Sequence, residues 1–257
     1  MGSEMCIRDR CYVFAHPAMK KRHDMFENEK PIQKDKLNDQ VYDRLCSLLR
    51  EGEFTPGKPV SVSSISDAFQ VSAMPVREAL TRLTSNGVLT NVSGRSVGVP
   101  ALNLSELEDL RNVRLEIEPL ATRWAVEKRD EAFLRDIAAL LEKLELSTNA
   151  KDHRKFVKLN YKFHLRIYTQ SRSSTLVDMI ETLWLRVSPH LYFAERDKQF
   201  KVSNEHHRRV VDMIRNGDPD RAAEAIRDDL SDAYEMLLRN ISSELHTHKR
   251  NKKQQLT

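Results

Sequence analysis

Residues 71–89 read VSAMPVREALTRLTSNGVL, and this stretch has the pattern of a short helix with one buried face. Ser72 is of a type that caps helix N-termini, and Asn86-Gly87 is of a type that ends helices. The apolar side chains between these limits recur every three or four positions: Val76, Ala79, Leu80 and Leu83. That period predicts an amphipathic helix whose other face is exposed.

The residues just before this stretch predict a second helix that packs against the first. The apolar residues of 63–69 share helical spacing, and only Gln70 and Val71 separate them from Ser72. Two helices joined by so short a link form a helix-turn-helix, which places its second helix in the major groove of DNA. The side chains predicted to face inward are Ile65, Phe69, Val71, Val76, Leu80 and Leu83. Those predicted to face outward are Ser72, Ala73, Met74, Arg77, Thr81 and Arg82.

The flanking segments complete a winged helix over residues 34–100. A helix is predicted over 36–50, and a loop rich in Gly and Pro follows at 52–59. The segment VLTNVSGRSVGVP at 88–100 places two runs of β-branched residues around Gly94, which predicts a hairpin. One helix, a helix-turn-helix and a hairpin make a winged-helix domain.

From residue 104 onward the sequence has the period of long amphipathic helices. They are predicted at 105–128, 130–147, 151–170, 173–197, 203–216 and 218–245. Pro119 is expected to bend or split the first of them. The predicted fold is therefore mostly α, with a winged helix-turn-helix followed by an antiparallel helical bundle over 104–245. Residues 1–33 are expected to be a disordered or artefactual tail, and 246–257 a frayed, polar, basic tail.

Composition narrows the class of protein. Hydrophobic residues make up 40% and charged residues 31% of the chain, which is typical of a soluble globular protein. The net charge of +4 is too small for a protein that binds DNA without sequence preference. No apolar run reaches the roughly 18 residues that a membrane span needs, so we expect no membrane partner. Cys46 lies in an apolar helical pattern and is expected to be a reduced core residue.

The stretch 71–89 resembles the recognition helix of the GntR superfamily of bacterial regulators. That pattern runs Val-Ser-Arg-Thr-Pro-Val-Arg-Glu-Ala-Leu, followed by Arg-Leu and a glycine before the wing. The matching positions are Val71, Ser72, Pro75, Val76, Arg77, Glu78, Ala79, Leu80, Arg82, Leu83 and Gly87. Residues 104–245 resemble, more loosely, the all-helical FCD effector domain of the FadR branch. The resemblance implies a cytoplasmic, nucleoid-associated repressor of a metabolic operon, which acts as a homodimer on double-stranded operator DNA.

The resemblance assigns DNA contacts to Ser72, Met74, Arg77, Arg82, Gly94 and Arg95. Arg77 would contact base edges or phosphates, and an Arg–guanine pair contributes about 1–3 kcal/mol of discrimination. Ser72 would donate to a phosphate while capping its helix, and Gly94 with Arg95 would bring the wing to the minor groove. Ala73 and Met74 stand where the family usually has Arg and Thr, which leaves the operator sequence open. The alternative is that the arginines are solvated helix charges.

The same resemblance implies a divalent metal site, for zinc, nickel or manganese. The family pattern is Asp, His, His and His, and it falls on Asn160, His164, His207 and Asp229. Here an amide replaces the first acid, and a carboxylate replaces the last histidine. Two imidazoles, one carboxylate and one amide oxygen remain a feasible ligand set for these ions. The alternative is that these residues are structural or exposed.

A small organic-acid effector is the implied ligand. Arg114 matches an arginine that commonly faces the effector cavity in the family, and Arg186 is a second candidate. A guanidinium suits this role because it holds a carboxylate through two hydrogen bonds. The alternative for both arginines is a surface helix charge.

Two other classes of function compete with a regulator. A metal-dependent enzyme or a metal-binding sensor could use the cluster of Asn160, His164, His207 and Asp229. However, the sequence has no HExxH motif, nucleophile elbow or P-loop, and an enzyme would leave the winged helix unexplained. An architectural DNA binder would need a much larger basic excess. We therefore expect a regulator that is not an enzyme.

Overall fold

The structure is a computed structural model that describes residues 36–93, 96–101, 103–194 and 200–254. The predicted N-terminal tail over 1–33 and the predicted wing contacts Gly94 and Arg95 lie outside the described residues. The described residues from Leu37 onward form one compact unit, in which a winged helix is followed by a helical bundle.

The winged helix consists of three helices and a small antiparallel sheet. Its elements are α1 (Lys36–Arg50), β1 (Val60–Ser61), α2 (Val62–Phe69), α3 (Ala73–Ser85), β2 (Thr90–Ser93) and β3 (Ser96–Gly98). The strand order is β1-β3-β2, with Val60 opposite Val97. The predicted hairpin of β2 and β3 is confirmed. Strand β1 was not predicted, because a strand of two residues is too short to show an alternating pattern.

The turn between α2 and α3 follows from local chemistry. The Ser61 hydroxyl accepts a hydrogen bond from the Ser64 backbone N–H at 3.1 Å and so caps α2. Gln70 ends α2 in the left-handed conformation, at φ 54°, and reverses the chain towards α3. The winged helix has a hydrophobic core, which includes the side chains predicted to face inward and the free, buried Cys46. Its fully buried members include Leu45, Leu49, Ile65, Val76, Leu80 and Leu83.

Six helices form the C-terminal part. They are α4 (Leu104–Glu127), α5 (Glu131–Asn149), α6 (His153–Gln170), α7 (Ser174–Ala194), α8 (Phe200–Asn216) and α9 (Pro219–Gln254). The N-termini of α4, α5 and α6 are capped by Asn103, Asp130 and Asp152. Helix α9 packs most extensively against α4 and next against α8. No helix within the described ranges is long and apolar enough to cross a lipid bilayer.

Two helix predictions need correction. Helix α4 is not split at Pro119; the proline removes one backbone donor, but it is buried, and packing against neighbouring helices keeps α4 continuous. Helix α9 extends to Gln254 instead of ending at 245. The segment after 245 contains no Gly or Pro to stop a helix and is rich in Lys, Arg and Gln, which favour helix.

Helix α7 contributes to both hydrophobic cores. Trp184 is buried in the core of the bundle, together with Phe163, Ile180 and Ala225. The next residue, Leu185, is buried in the core of the winged helix. The two parts of the chain therefore share a continuous packed boundary at the middle of α7.

Candidate functional site

The exposed face of α3 carries the predicted DNA contacts. All six residues predicted to face outward are exposed, as predicted: Ser72, Ala73, Met74, Arg77, Thr81 and Arg82. Met74 is 71% exposed, which is unusual for a large apolar side chain. Arg77 and Thr81 line a groove between α3 and the sheet, together with Asn91, Ser93 and Ser96. This groove presents one cation and several hydroxyl and amide groups, which are the groups that bind phosphates and base edges.

The two arginines of α3 have different surroundings. The Arg82 guanidinium lies 3.8 Å from the centre of the Tyr42 ring and so ties α3 to α1. Among the described residues, Arg77 makes no ion pair, so its charge is available to an external anion. Ser72 occupies the N-cap position of α3 with extended backbone, but its hydroxyl makes no capping hydrogen bond. The predicted capping role of Ser72 is therefore corrected, and its hydroxyl stands at the helix N-terminus, where anions bind.

Three helices of the bundle bring two histidines and one aspartate together. His164 lies on α6, His207 on α8 and Asp229 on α9, and all three are buried. The two Asp229 carboxylate oxygens lie 3.3 Å from His164 Nε2 and 3.7 Å from His207 Nε2. One ligand atom from each residue lies within 4.8 Å of the other two. One ion with ligand bonds of about 2.0–2.2 Å can bridge such a set after small side-chain movements.

Polar atoms without partners mark the same region. His207 Nδ1 and Asn160 Oδ1 are buried and have no hydrogen-bond partner among the residues that the structure describes. Asn160 precedes His164 by one turn of α6, so both side chains lie on the same helix face. Buried polar atoms without partners are uncommon in folded proteins, and an ion is one explanation for them. The residues present therefore fit a metal centre with two imidazoles, one carboxylate and one amide oxygen.

The protonation states of the cluster suit a cation. Burial lowers the pKa of His207 to about 3, so its imidazole is neutral near pH 7. Burial alone would raise the pKa of Asp229, but the neighbouring His207 and His164 outweigh burial and lower it. A neutral imidazole and an ionised carboxylate are the forms that bind metal ions.

Arg114 is buried and already has a carboxylate partner. Its guanidinium donates to the carboxylate of Glu118, one turn later on α4, and its Nη1 lies 3.4 Å from the Tyr234 hydroxyl. Glu118 also accepts hydrogen bonds from the Tyr168 hydroxyl at 2.5 Å and from Trp184 Nε1 at 3.2 Å. Sequence analysis missed this network, although the spacing of Arg114 and Glu118 is that of a helical ion pair.

Arg186 lies away from this network, beside the winged helix. Because it is two residues from Trp184, which faces the bundle core, it projects from nearly the opposite side of α7. A Cβ atom built on Gly87 would lie 3.8 Å from Arg186 Nε, so the guanidinium packs against the backbone at the end of α3. The structure therefore does not bring the two predicted effector arginines, Arg114 and Arg186, together.

Comparison with known proteins gives the context of both sites. Residues 37–99 match the family of bacterial regulatory proteins called gntR, and residues 109–232 match the FCD domain. The chain is 32% identical over 154 residues to the HTH-type transcriptional regulator McbR of Escherichia coli, covering 60% of this chain and 70% of McbR. It is 26% identical over 230 residues to the HTH-type transcriptional repressor NanR of Cronobacter sakazakii, covering 80% of this chain and 86% of NanR.

A solved structure of E. coli McbR/YncC has the same architecture, with a TM-score of 0.77 and 26% identity over 81% of this chain and all of the other. The family and these relatives are transcriptional regulators, so the expectation that the chain is not an enzyme is confirmed. The chain belongs to the gntR family of bacterial regulatory proteins and is a ligand-responsive, DNA-binding transcriptional regulator with a C-terminal FCD domain.

Proposed function

We propose that the chain is a metal-containing repressor that binds operator DNA as a homodimer and releases it in response to a small carboxylate. The observation that carries this proposal is the buried cluster of His164, His207 and Asp229 in the domain behind the DNA-binding helix. Burying two imidazoles and a carboxylate costs free energy unless their polar atoms are compensated. A bound cation would offset the carboxylate charge and would bind the lone pairs of the imidazole nitrogens.

The proposed DNA contacts come mainly from the start and middle of α3. Arg77 would contact base edges or phosphates, Ser72 a phosphate, and Met74 the methyl group of a thymine. Their exposure on one helix face supports this assignment. Arg82 would contribute less to DNA binding, because its guanidinium is held on Tyr42. Gly94 and Arg95 of the wing keep the minor-groove role that the family resemblance implies.

A homodimer would explain how one short helix achieves useful specificity. Each chain presents a single recognition helix, and dimeric helix-turn-helix proteins place two of them about 34–36 Å apart on successive major grooves. Binding that changes the spacing of the two helices would then weaken both half-sites together. Repression is supported by the name of NanR, which is called a repressor.

The proposed ligands of the ion are His164, His207, Asp229 and Asn160. Zinc, nickel and manganese all accept a mixed set of nitrogen and oxygen ligands. When bound, such an ion would offer a vacant coordination position to a carboxylate oxygen of the effector. The effector would then be a small organic acid.

Arg114 would meet the effector only by exchanging its present partner. Its guanidinium is 2% exposed and paired with Glu118, so an incoming carboxylate has to displace that side chain. Such an exchange would move α4, and α4 is the helix that follows the winged helix in the chain. Arg186 stands apart, and its contact with Gly87 supports a role at the boundary with the winged helix instead.

Elemental analysis of protein purified without chelator or added metal tests the metal centre. We expect about one ion per chain in the wild type and little in His164→Ala or His207→Ala. His206→Ala is the matched control, because His206 neighbours His207 but pairs with Asp232 on the surface at 2.7 Å. The proposal fails if the wild type is empty and does not gain melting temperature from zinc, nickel or manganese.

A DNA-binding assay tests the repressor and its effector. A panel of small organic acids would be added to the complex of the zinc-loaded protein with DNA from its own promoter region. We expect at least one acid to release the DNA, and expect the release to need the ion. Sedimentation of the complex should show two chains per operator; a single chain per site would overturn the homodimer.

A further inference from the structure

A chain of hydrogen bonds joins the metal cluster to the buried Glu118. The Tyr168 hydroxyl lies 2.5 Å from Glu118 Oε2 and 3.1 Å from His164 Nδ1. Glu118 and Tyr168 are 0% exposed, and His164 is 1% exposed. Water therefore does not compete for these contacts. The hydrogen bonds of this chain must be made by the protein's own donors and acceptors.

The neighbours of Glu118 decide the direction of these hydrogen bonds. Arg114 and the Trp184 indole can only donate, and both point to the Glu118 carboxyl group. With a guanidinium beside it, Glu118 acts as an acceptor carboxylate. The single proton of the Tyr168 hydroxyl is therefore donated to Glu118, across the shorter of its two contacts.

Once Tyr168 donates to Glu118, its oxygen can only accept from His164. The atom that faces it is His164 Nδ1, so that nitrogen must carry the proton. The other ring nitrogen, Nε2, faces Asp229 at 3.3 Å. Nε2 is therefore the nitrogen of His164 that would ligate an ion in the cluster.

We infer that Glu118 and Tyr168 are positioning residues, which hold His164 with its proton on Nδ1 and its Nε2 directed at the metal site. This inference rests on the proposed metal centre and assigns it a buried supporting shell. Arg114 serves the same shell because it neutralises Glu118, so the carboxylate can act as an acceptor in a dry environment. Removing such outer partners typically weakens metal affinity by about 10–100-fold.

The test is the zinc affinity of Tyr168→Phe, measured by competition with a chromophoric chelator. This variant removes one hydroxyl and keeps the ring that packs in the core. Tyr234→Phe is the matched control, because Tyr234 is equally buried and contacts Arg114 but has no described contact with His164. We expect zinc binding to weaken about 10–100-fold in Tyr168→Phe and much less in Tyr234→Phe. Equal losses in the two variants would overturn the inference.

Nitrogen-15 NMR of the histidine rings gives a second readout, the position of the ring proton, which does not depend on metal affinity. The His164 signals are assigned from their loss in His164→Gln. We expect Nδ1 to be protonated in the wild type both before and after zinc is added, and expect this preference to be lost in Tyr168→Phe. A proton on Nε2, with Nδ1 bare, would overturn the inference. A wild type that binds no zinc would instead refute the metal centre, and the spectrum of the ion-free protein would still decide where the proton is.

Discussion

Arg77 and Arg82 are exposed arginines on the same helix, yet they have different neighbours. The Arg82 guanidinium stacks on Tyr42, whereas Arg77 faces the groove between α3 and the sheet. A charge that is stacked on a ring is less available to DNA than one that faces solvent. The two residues have the same burial class, so exposure does not distinguish them. Their neighbours predict that Arg77 contributes more to DNA binding than Arg82 does.

Arg77→Ala should lower operator affinity by about 1–3 kcal/mol, or roughly 5- to 150-fold. Arg82→Ala should cost less affinity and should instead lower the free energy of unfolding by about 0.5–1 kcal/mol, because it removes the stacking on Tyr42. Fluorescence anisotropy with labelled operator and urea unfolding measure the two quantities. Unchanged affinity in Arg77→Ala would contradict its placement in the DNA interface.

His190 should make folding stability depend on pH. Burial lowers its pKa from 6.5 to about 4, and its Nε2 is buried with no hydrogen-bond partner in the described part of the chain. The unfolded chain takes up this proton at a higher pH than the folded chain, so the stabilisation is present above pH 6.5 and is lost as the pH falls towards 4. The full size of this stabilisation is about 3 kcal/mol.

In His190→Leu, the loss of stability between pH 6.5 and pH 4 should accordingly be smaller than in the wild type by up to about 3 kcal/mol. Urea unfolding at several pH values measures the difference. His153→Leu is a useful control, because it removes a histidine from a different place, the first residue of α6. Parallel pH profiles of the wild type and His190→Leu would show that another group controls the acid sensitivity.

At the scale of elements, α7 is the helix that belongs to both halves of the molecule. Its residues Trp184, Leu185 and Arg186 contact in turn the Glu118 network, the winged-helix core and the backbone of Gly87. A shift of α7 would therefore change contacts both at the Glu118 network, which adjoins His164 through Tyr168, and at the end of α3.

Leu185→Ala should loosen the winged helix although the residue lies in the bundle sequence. Removing a buried leucine side chain costs about 2–5 kcal/mol, and here the cavity opens in the core that holds α1 to α3. Hydrogen exchange should show faster amide exchange in those helices. Leu176→Ala is the control, because Leu176 is buried in the bundle core. The same exchange pattern in both variants would contradict the division of the cores.

At the scale of the whole molecule, ion pairs reinforce the boundary between the two parts. Lys158 Nζ lies 2.9 Å from Glu51, and Arg154 pairs with Glu53, so α6 is tied to the end of α1. The same helix carries His164 one and a half turns further on. The basic side chains of these pairs are exposed, so each pair contributes little, whereas Leu185 adds buried apolar contact at the same boundary.

If the proposed ion binds, removing it should lower the stability of the entire compact unit. At a zinc concentration of 100 times Kd, binding stabilises the folded state by about 2.7 kcal/mol, which corresponds to a rise in Tm of about 5–10 °C for a chain of this size. Thermal melting with zinc and then with a chelator measures this change. Asp229→Asn, which removes the ligand charge, should show little response to either. An identical response in wild type and variant would place the ion elsewhere.

The helices and the wing of this protein follow from its sequence, whereas the two-residue strand β1 does not. Helix starts, helix ends and the wing follow from signals within a few residues: capping side chains, glycines, prolines and the period of apolar positions. These signals act through local backbone geometry, so the helix limits were predicted to within a few residues except at the end of α9. The resemblance also named the cluster residues, but it left them on three separate helices.

Which of these residues meet depends on how the helices pack in the folded chain. This packing brought His164 to Asp229, 65 positions later in the chain, gave Arg114 a carboxylate within its own chain, and placed Arg186 against the winged helix. Such contacts depend on how helices pack and on which side of each helix faces the neighbour, and the local period does not encode the choice of neighbour. For the same reason, the proton on His164 could be assigned only after Tyr168 and Glu118 were placed beside it.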